Sequence, residues 1–202
     1  MRILLLLDGG CPRPDVVRRI ASSCPLVLCA DGGVRHAIRM GLRPRFVVGD
    51  MDSLPRRLPP WEGVTYLCDF DKDTSDFEKA LRFAAQAEDP DVYVAGAFGG
   101  RADHVLVNLS LAERYSDSLR ITLVDQGMTR LAGPGRHEIL TAKGRTISVI
   151  ACAPGAVLTT YGLHYALRRR LLKPGSGGLS NRAIARRVAI DVHRGKAWIV
   201  IP

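Results

Sequence analysis

No stretch of this 202-residue chain approaches the roughly 20 consecutive apolar residues of a membrane-spanning helix. The apolar opening, Ile3 to Leu7, is also too short for the core of a secretion signal, and Asp8 closes it; a buried strand explains it better. A membrane partner is therefore not expected. Cysteine is sparse as well: Cys11, Cys24, Cys29, Cys68 and Cys152 are odd in number, scattered, and form no Cys-x-x-Cys pair. That spacing excludes a disulfide framework and a thiolate zinc site, and reads as buried reduced thiols in a cytoplasmic protein. Aromatic residues make up only 6%, and no aromatic or glycine platform accompanies the arginines. The net charge of +9 thus does not read as a nucleic-acid surface. It suits a polyanionic small substrate equally well. No Gly-Lys-Ser/Thr follows any glycine-rich loop, so a Walker A phosphate loop is absent.

What is present falls into two parts of different grammar. Up to about residue 125, near-continuously apolar runs alternate with helical segments. The runs are Ile3–Leu7, Leu26–Ala30, Phe46–Val48, Val64–Leu67, Val92–Ala97 and Leu119–Val124. Helices are expected over Pro14–Ser22, Val34–Met40 (stopped by Gly41), Asp76–Ala87 and His104–Tyr115. Ser75-x-x-Glu78 has the form of a capping box for the third helix, and Val105, Leu109 and Ala112 mark the inner face of the fourth. Such alternation implies an α/β domain with a mostly parallel, doubly wound sheet. Beyond residue 125, Gly and Pro recur between short strand-like runs: Arg136–Leu140, Thr146–Ala151, Ala156–Thr160, Val188–Val192 and Trp198–Ile201. These imply a smaller all-β sandwich. The expected domains are 1–125 and 126–202.

Aspartates gather where the first part's strands end. They lie in Ala30-Asp31-Gly32-Gly33, Gly49-Asp50-Met51-Asp52-Ser53, Asp71-Lys72-Asp73-Thr74-Ser75-Asp76 and Gly99-Gly100-Arg101-Ala102-Asp103-His104. In doubly wound sheets the carboxyl ends of the strands face one crevice. Carboxylates gathered there repel one another unless a divalent cation joins them, and hard cations prefer oxygen ligands. Asp50-x-Asp52 places two carboxylates on one side of an extended segment. Asp73 and Asp76 bracket a helix start, where Asp76 alone could simply complement the helix dipole. Gly99-Gly100-Arg101 joins a strand to a helix, bringing backbone donors and a guanidinium fork to an anion. Gly9-Gly10 and Gly32-Gly33 similarly let backbone approach a ligand. In the second part, Tyr165 could stack on a flat ring, and Ser180-Asn181 follow the glycine-rich 173–178 stretch. The Arg168–Arg170 run reads as a solvated edge that discourages strand pairing.

In this order and spacing the segments resemble the thiamine pyrophosphokinase family. Its members read Ala-Asp-Gly-Gly, Gly-Asp-Phe/Met-Asp-Ser, Lys-Asp-x-Thr-Asp and Gly-Gly-Arg-x-Asp-His with a later Asn, here Asn108. Bacterial members add Gly-Leu-x-Tyr-Pro-Leu and Ser-Asn-Glu, here Gly162–Leu167 and Ser180–Arg182. The resemblance implies transfer of pyrophosphate from ATP to the hydroxyl of thiamine, with AMP released. It implies Mg²⁺ on Asp50, Asp52 and Asp76, with Asp73 or Asp103 orienting the hydroxyl and Arg101 neutralising charge. ATP would lie against Asp31, Gly32, Gly33, Gly99, Gly100 and Arg101. Thiamine would lie at a homodimer interface against Tyr165, with Ser180 and Asn181 nearby. The chain departs from the pattern at Ser75 (Thr in the family), Ala166 (Pro) and Arg182 (Glu). Arg182 motivates a competing reading in which the acceptor is a pterin or another small alcohol. The +9 charge motivates another: a non-enzymatic nucleotide- or RNA-binding module.

Overall fold

The computed structural model describes residues 1–10 and 13–202, so Cys11 lies outside the described residues. Two compact units emerge, Met1–Gln126 and Gly127–Pro202.

The first unit runs β1 (Arg2–Leu6), α1 (Pro14–Ala21), β2 (Leu26–Ala30), α2 (Val34–Met40), β3 (Phe46–Gly49), β4 (Thr65–Cys68), α3 (Asp76–Ala84), β5 (Asp91–Ala95), α4 (Ala102–Tyr115) and β6 (Arg120–Val124). Its six strands are all parallel, in the order β6-β5-β1-β2-β3-β4. Both faces of the sheet centre are covered: Ile3, Leu4, Leu5 and Leu6 of β1 are fully buried. That is why β1 reads as an unbroken apolar run rather than an alternating one. From β1 the chain winds outward through β2, β3 and β4, then returns to the other flank of β1 for β5 and β6. The reversal makes the gap between β1 and β5 the switch point, where the strand ends leave a crevice.

Local signals explain where the helices start and stop. Gly41 ends α2 in the left-handed region, at φ 66°, a conformation that costs glycine nothing. The Ser75 hydroxyl accepts from the Glu78 amide at 3.3 Å, capping α3. The Glu78 side chain is used elsewhere: its Oε1 accepts from Arg82 (3.1 Å), Arg114 (3.2 Å) and the Tyr115 hydroxyl (3.2 Å). A buried carboxylate thus ties α3 to α4, because an unpaired charge there would be costly. Helix α3 is shorter than the sequence pattern suggests, ending at Ala84. In α4 the buried residues are Leu111 and Ala112, whereas Leu106 and Val107 are exposed. Among the cysteines, Cys24, Cys29 and Cys152 are buried as expected, but Cys68, at the end of edge strand β4, is exposed.

The second unit is antiparallel, with strands β7 (Met128–Ala132), β8 (Gly135–Leu140), β9 (Thr146–Ala151), β10 (Ala156–Tyr161), β11 (Arg170–Leu172), β12 (Asn181–Arg182), β13 (Arg187–Arg194) and β14 (Ala197–Ile201). They form two layers, β12-β9-β14-β7 and β11-β10-β13-β8. Ile147, Val149 and Ile199 of one layer share a core with Leu158, Val188 and Ile190 of the other. This is the sandwich expected from the short, turn-punctuated runs. Arg170 does pair: it opens β11, which has β10 as its single neighbour. The arginine run therefore sits on a sheet edge without preventing that edge from forming.

The turns over the switch point leave no space for side chains. The Gly9 amide donates to the Gly96 carbonyl at 3.0 Å, and the Leu7 amide donates to the Ala95 carbonyl at 2.8 Å. A Cβ on Gly96 would lie 2.3 Å from the Leu7 carbonyl oxygen, and Gly96 already holds φ +83°. Overlap with backbone and a strained φ each cost about 1–3 kcal/mol. Gly96→Ala should therefore lower the unfolding free energy by about 2–6 kcal/mol in denaturant titration. A loss below about 0.5 kcal/mol would contradict the close approach.

Candidate functional site

Five loops leaving the carboxyl ends of β1 to β5 surround one cavity of about 510 Å³. Its lining takes Leu7 to Gly9 after β1, Gly32 after β2, Asp50 after β3, Asp71, Lys72 and Thr74 to Phe77 before and into α3, and Gly96, Ala97 and Gly99 to Arg101 after β5. The winding of the sheet therefore gathers segments that are up to about ninety residues apart.

Three carboxylates meet on this rim. One oxygen from each of Asp31, Asp50 and Asp76 lies within 4.8 Å of the others. Asp31 follows β2 directly, at the strained φ of +34°, and is only 1% exposed. Its Oδ2 accepts from the Ser53 amide at 3.0 Å, while Oδ1 is buried with no partner. Burial pushes its carboxyl above the usual range, and the charges on Asp76, Asp52 and Asp50 push the same way. Asp50 follows β3 directly; its Oδ1 accepts from the Asp52 amide at 3.2 Å, and Oδ2 takes the Lys72 ammonium. That lysine holds the Asp50 carboxyl below the usual range. Asp76 is the first residue of α3, and its Oδ1 lies 3.3 Å from Lys79 Nζ. The Lys79 side chain is 2% exposed and also donates to the Asp69 carbonyl at 2.8 Å. Three oxygen donors, one of them buried and unpartnered, suit a hard cation such as Mg²⁺.

The remaining acidic residues stand apart from that group. Asp52 is exposed; it accepts from the Ser53 hydroxyl at 2.9 Å and lies 3.8 Å from Lys72. Asp73 is exposed on the loop before α3, where its amide donates to Asp71 Oδ1 at 2.9 Å. Asp103 is gripped by both arms of the Arg101 guanidinium, at 3.1 and 2.5 Å. Mainly that contact, with the His104 amide, holds its carboxyl down to about 2. Among the glycines, Gly99 and Gly100 are exposed at φ +78° and +74°. Gly33 is buried, and a Cβ there would meet the Leu6 carbonyl oxygen at 2.0 Å. Its glycine is needed to pack the turn against β1. Sequence reasoning gave Asp31 to the nucleotide and passed over Lys79 altogether. Lys79 sits inside the buried stretch Phe77–Leu81, and its spacing of three from Asp76 was the available signal.

In the second unit the chain brings Tyr165, Ser180 and Asn181 together. Asn181 Oδ1 accepts from the Tyr165 amide at 3.0 Å, and its Nδ2 donates to the Tyr165 carbonyl at 2.8 Å. The Ser180 amide donates to Ser148 Oγ at 2.9 Å. The Tyr165 ring is 70% exposed.

Comparison with known proteins decides the family. Residues 17–131 match the profile described as thiamin pyrophosphokinase, catalytic domain, and residues 136–196 match thiamin pyrophosphokinase, vitamin B1 binding domain. The chain belongs to the thiamin pyrophosphokinase family. Thiamine pyrophosphokinase 1 of Arabidopsis thaliana is 27% identical over 98% of this chain and 85% of its own. The thiamine pyrophosphokinase of Bacillus subtilis is 28% identical over 82% of this chain and 81% of its own. Among solved structures, the Geobacillus thermodenitrificans thiamin pyrophosphokinase matches with a TM-score of 0.86, at 24% identity, over 100% of this chain and 97% of that one. The Bacillus subtilis structure matches with a TM-score of 0.84, at 22% identity, over 100% and 98%. The architecture is thus that of the family throughout, and the chain is an enzyme of that family.

Two titration experiments follow from the site. With divalent ions chelated, Asp31→Asn should unfold at higher denaturant than the parent near neutral pH, since a buried charge is removed. A raised carboxyl contributes stability only when protonated: fully below its ordinary value of 3.8, and lost as pH climbs through the raised value. The gap between the two proteins should therefore close as pH falls toward 3.8. A gap independent of pH would contradict the burial assignment. For Asp103, carboxyl NMR should place the midpoint at about 2. Arg101→Ala should return it toward ordinary carboxylate values, and an unmoved midpoint would refute the pairing.

Proposed function

We propose that the chain transfers pyrophosphate from Mg²⁺-bound ATP to the hydroxyl of thiamine, giving thiamine diphosphate and AMP. The observation that carries this reading is the meeting of Asp31, Asp50 and Asp76 beyond the carboxyl ends of β2, β3 and β4, beside the glycine-rich turns that line the cavity, in a chain matching both family domains. A divalent cation on these carboxylates would neutralise phosphate oxygens and help hold the polyphosphate in line.

The residues of the chain supply position and charge. Asp31, Asp50 and Asp76 form the oxygen cage, with Asp52 at its exposed side. The amides of Gly99 and Gly100 and the turn at Gly32 lie against the nucleotide, where backbone donors can meet phosphate. Arg101 exchanges its bond to Asp103 for the phosphate oxygens that gain charge as AMP leaves. Phosphoryl transfer asks little of a general base, because positioning and charge stabilisation dominate its barrier. Asp103, held near 2 by Arg101, is a weak proton acceptor while that pair persists. Asp73, exposed on the loop before α3, is the better candidate to orient the thiamine hydroxyl. In the second unit, Tyr165 offers an exposed ring to the flat thiamine, with Ser180 and Asn181 alongside. A cytoplasmic homodimer with thiamine at its interface completes the reading.

AMP release from ATP, measured with and without thiamine, tests the reaction. Release that requires thiamine supports it; equal release without thiamine points to a hydrolase or another acceptor. Asp50→Asn and Asp76→Asn should each lower kcat at least about 100-fold, as expected when a ligand worth several kcal/mol is lost. Rates within about threefold of the parent would remove the carboxylates from the site.

A further inference from the structure

Two lysines face the acidic rim, and the structure treats them differently. Lys79 is sealed beneath Asp76, with its ammonium spent on the Asp69 carbonyl at 2.8 Å and on Asp76 at 3.3 Å. Its side chain is 2% exposed, so the charge is fixed. Lys72 reaches the same rim from the solvent side: its side chain is 71% exposed, its ammonium bonds Asp50 Oδ2, and it lies 3.8 Å from Asp52. It also lines the cavity, together with Gly99, Gly100 and Arg101. Asp50 has no idle oxygen in this arrangement, since Oδ1 holds the Asp52 amide and Oδ2 holds Lys72.

We propose that Lys72 is an exchangeable counter-ion of the site: it occupies Asp50 while the cluster is metal-free, gives that oxygen up to the incoming divalent cation, and delivers its ammonium to the polyphosphate of the nucleotide. The inference rests on the reading of Asp31, Asp50 and Asp76 as the cation site. An ammonium and a divalent cation cannot share one carboxylate oxygen without strong like-charge repulsion. Metal binding must therefore free Lys72, and its flexible four-carbon stem lets the head group move without the backbone. The freed charge is already in the cavity. Asp52, 3.8 Å away and exposed, is the nearest carboxylate left to it, and the phosphate chain, which carries the greater negative charge, outcompetes that single group. Lys72 thus opposes the metal alone and favours the metal together with the nucleotide.

The two halves of this role have opposite signs, which separates them from a structural contribution. Mn²⁺ serves as the probe, titrated by EPR or calorimetry into the nucleotide-free protein. Lys72→Ala should bind Mn²⁺ about threefold or more tighter than the parent, because its competitor is gone. The same variant, assayed at saturating Mg²⁺, should show a KM for ATP raised about fivefold or more. Lys72→Arg should keep the parent's Mn²⁺ affinity and recover most of the ATP affinity. Unchanged or weaker Mn²⁺ binding by Lys72→Ala would overturn the proposal, and so would an unchanged KM for ATP. Asp76→Asn separates this failure from failure of the site. If the parent, Lys72→Ala and Asp76→Asn all bind Mn²⁺ equally poorly, the carboxylates are not the cation site and the proposal falls with that reading. If the parent binds Mn²⁺ and Asp76→Asn does not, the site stands and Lys72 is judged by its own variants.

Discussion

The structure depends on holding three like charges together at the ends of parallel strands. At 4.8 Å, two carboxylates repel by about 3 kcal/mol at an effective dielectric of 20. Three such pairs would consume a large share of the 5–15 kcal/mol that typically holds a domain together. The sheet cannot relieve this by moving them apart, because Asp31 and Asp50 follow adjacent, fully registered strands. Relief has to come from charge. Lys79 supplies a buried ammonium under Asp76, and Lys72 supplies a second above Asp50. Burial favours the protonated form of Asp31. A divalent cation held by the three carboxylates would relieve the repulsion further.

The same logic extends around the cavity. Its exposed cationic side chains rest on carboxylates, Lys72 on Asp50 and Arg101 on Asp103, and beside Gly32 Arg35 bonds Asp8 of the lining. The cations of these pairs are exposed, although the Asp50 carboxylate is 11% exposed, so each cation can turn to another anion without moving the backbone. The buried members, Asp31 and Lys79, are the ones the fold locks in place. The site therefore combines a rigid floor with a rim of detachable positive charge, an arrangement suited to a polyanion that must bind and then leave in two pieces. The tight glycine turns belong to the floor. Gly9, Gly33 and Gly96 lie against backbone carbonyls, where a side chain would displace a strand end.

Much of this could be read from the sequence because it follows from topology. Alternating apolar runs and helices fix a parallel sheet, and a parallel sheet puts every strand-following loop on one edge. Asp31, Asp50 and Asp76 could thus be brought together before any coordinates. Choosing among neighbouring aspartates was harder. Asp52 satisfies a two-residue spacing with Asp50, but Met51 adopts φ +68° and the segment turns there. An alternation rule for extended backbone no longer applies. Asp31 looked like a turn residue of the glycine loop because burial is a property of the assembled sheet. The Glu78 carboxylate shows a similar limit: local grammar makes it a capping group, while tertiary contacts with Arg114 and Tyr115, some 36 residues away, claim it. The short strands β11 and β12 carry too few residues for any period to show.

Asn181 completes the same argument in the second unit. Its position beside Ser180 suggests a ligand contact, yet its amide is 8% exposed and closes a two-way bracket on the backbone of Tyr165. It also accepts from the Arg182 amide at 2.8 Å, so its oxygen is used twice. An asparagine so engaged has little left for a ligand. What it does is hold the Tyr165 backbone as a strand partner would, in a loop where the paired neighbour is a single bridge, Leu163 with Ala183. The aromatic ring is thereby presented to solvent on a backbone that does not have to be ordered when a ligand arrives, and that pre-ordering lowers the entropy cost of binding. On the second unit as on the first, the residues proposed to meet a substrate are held by buried polar groups whose partners are already inside the protein.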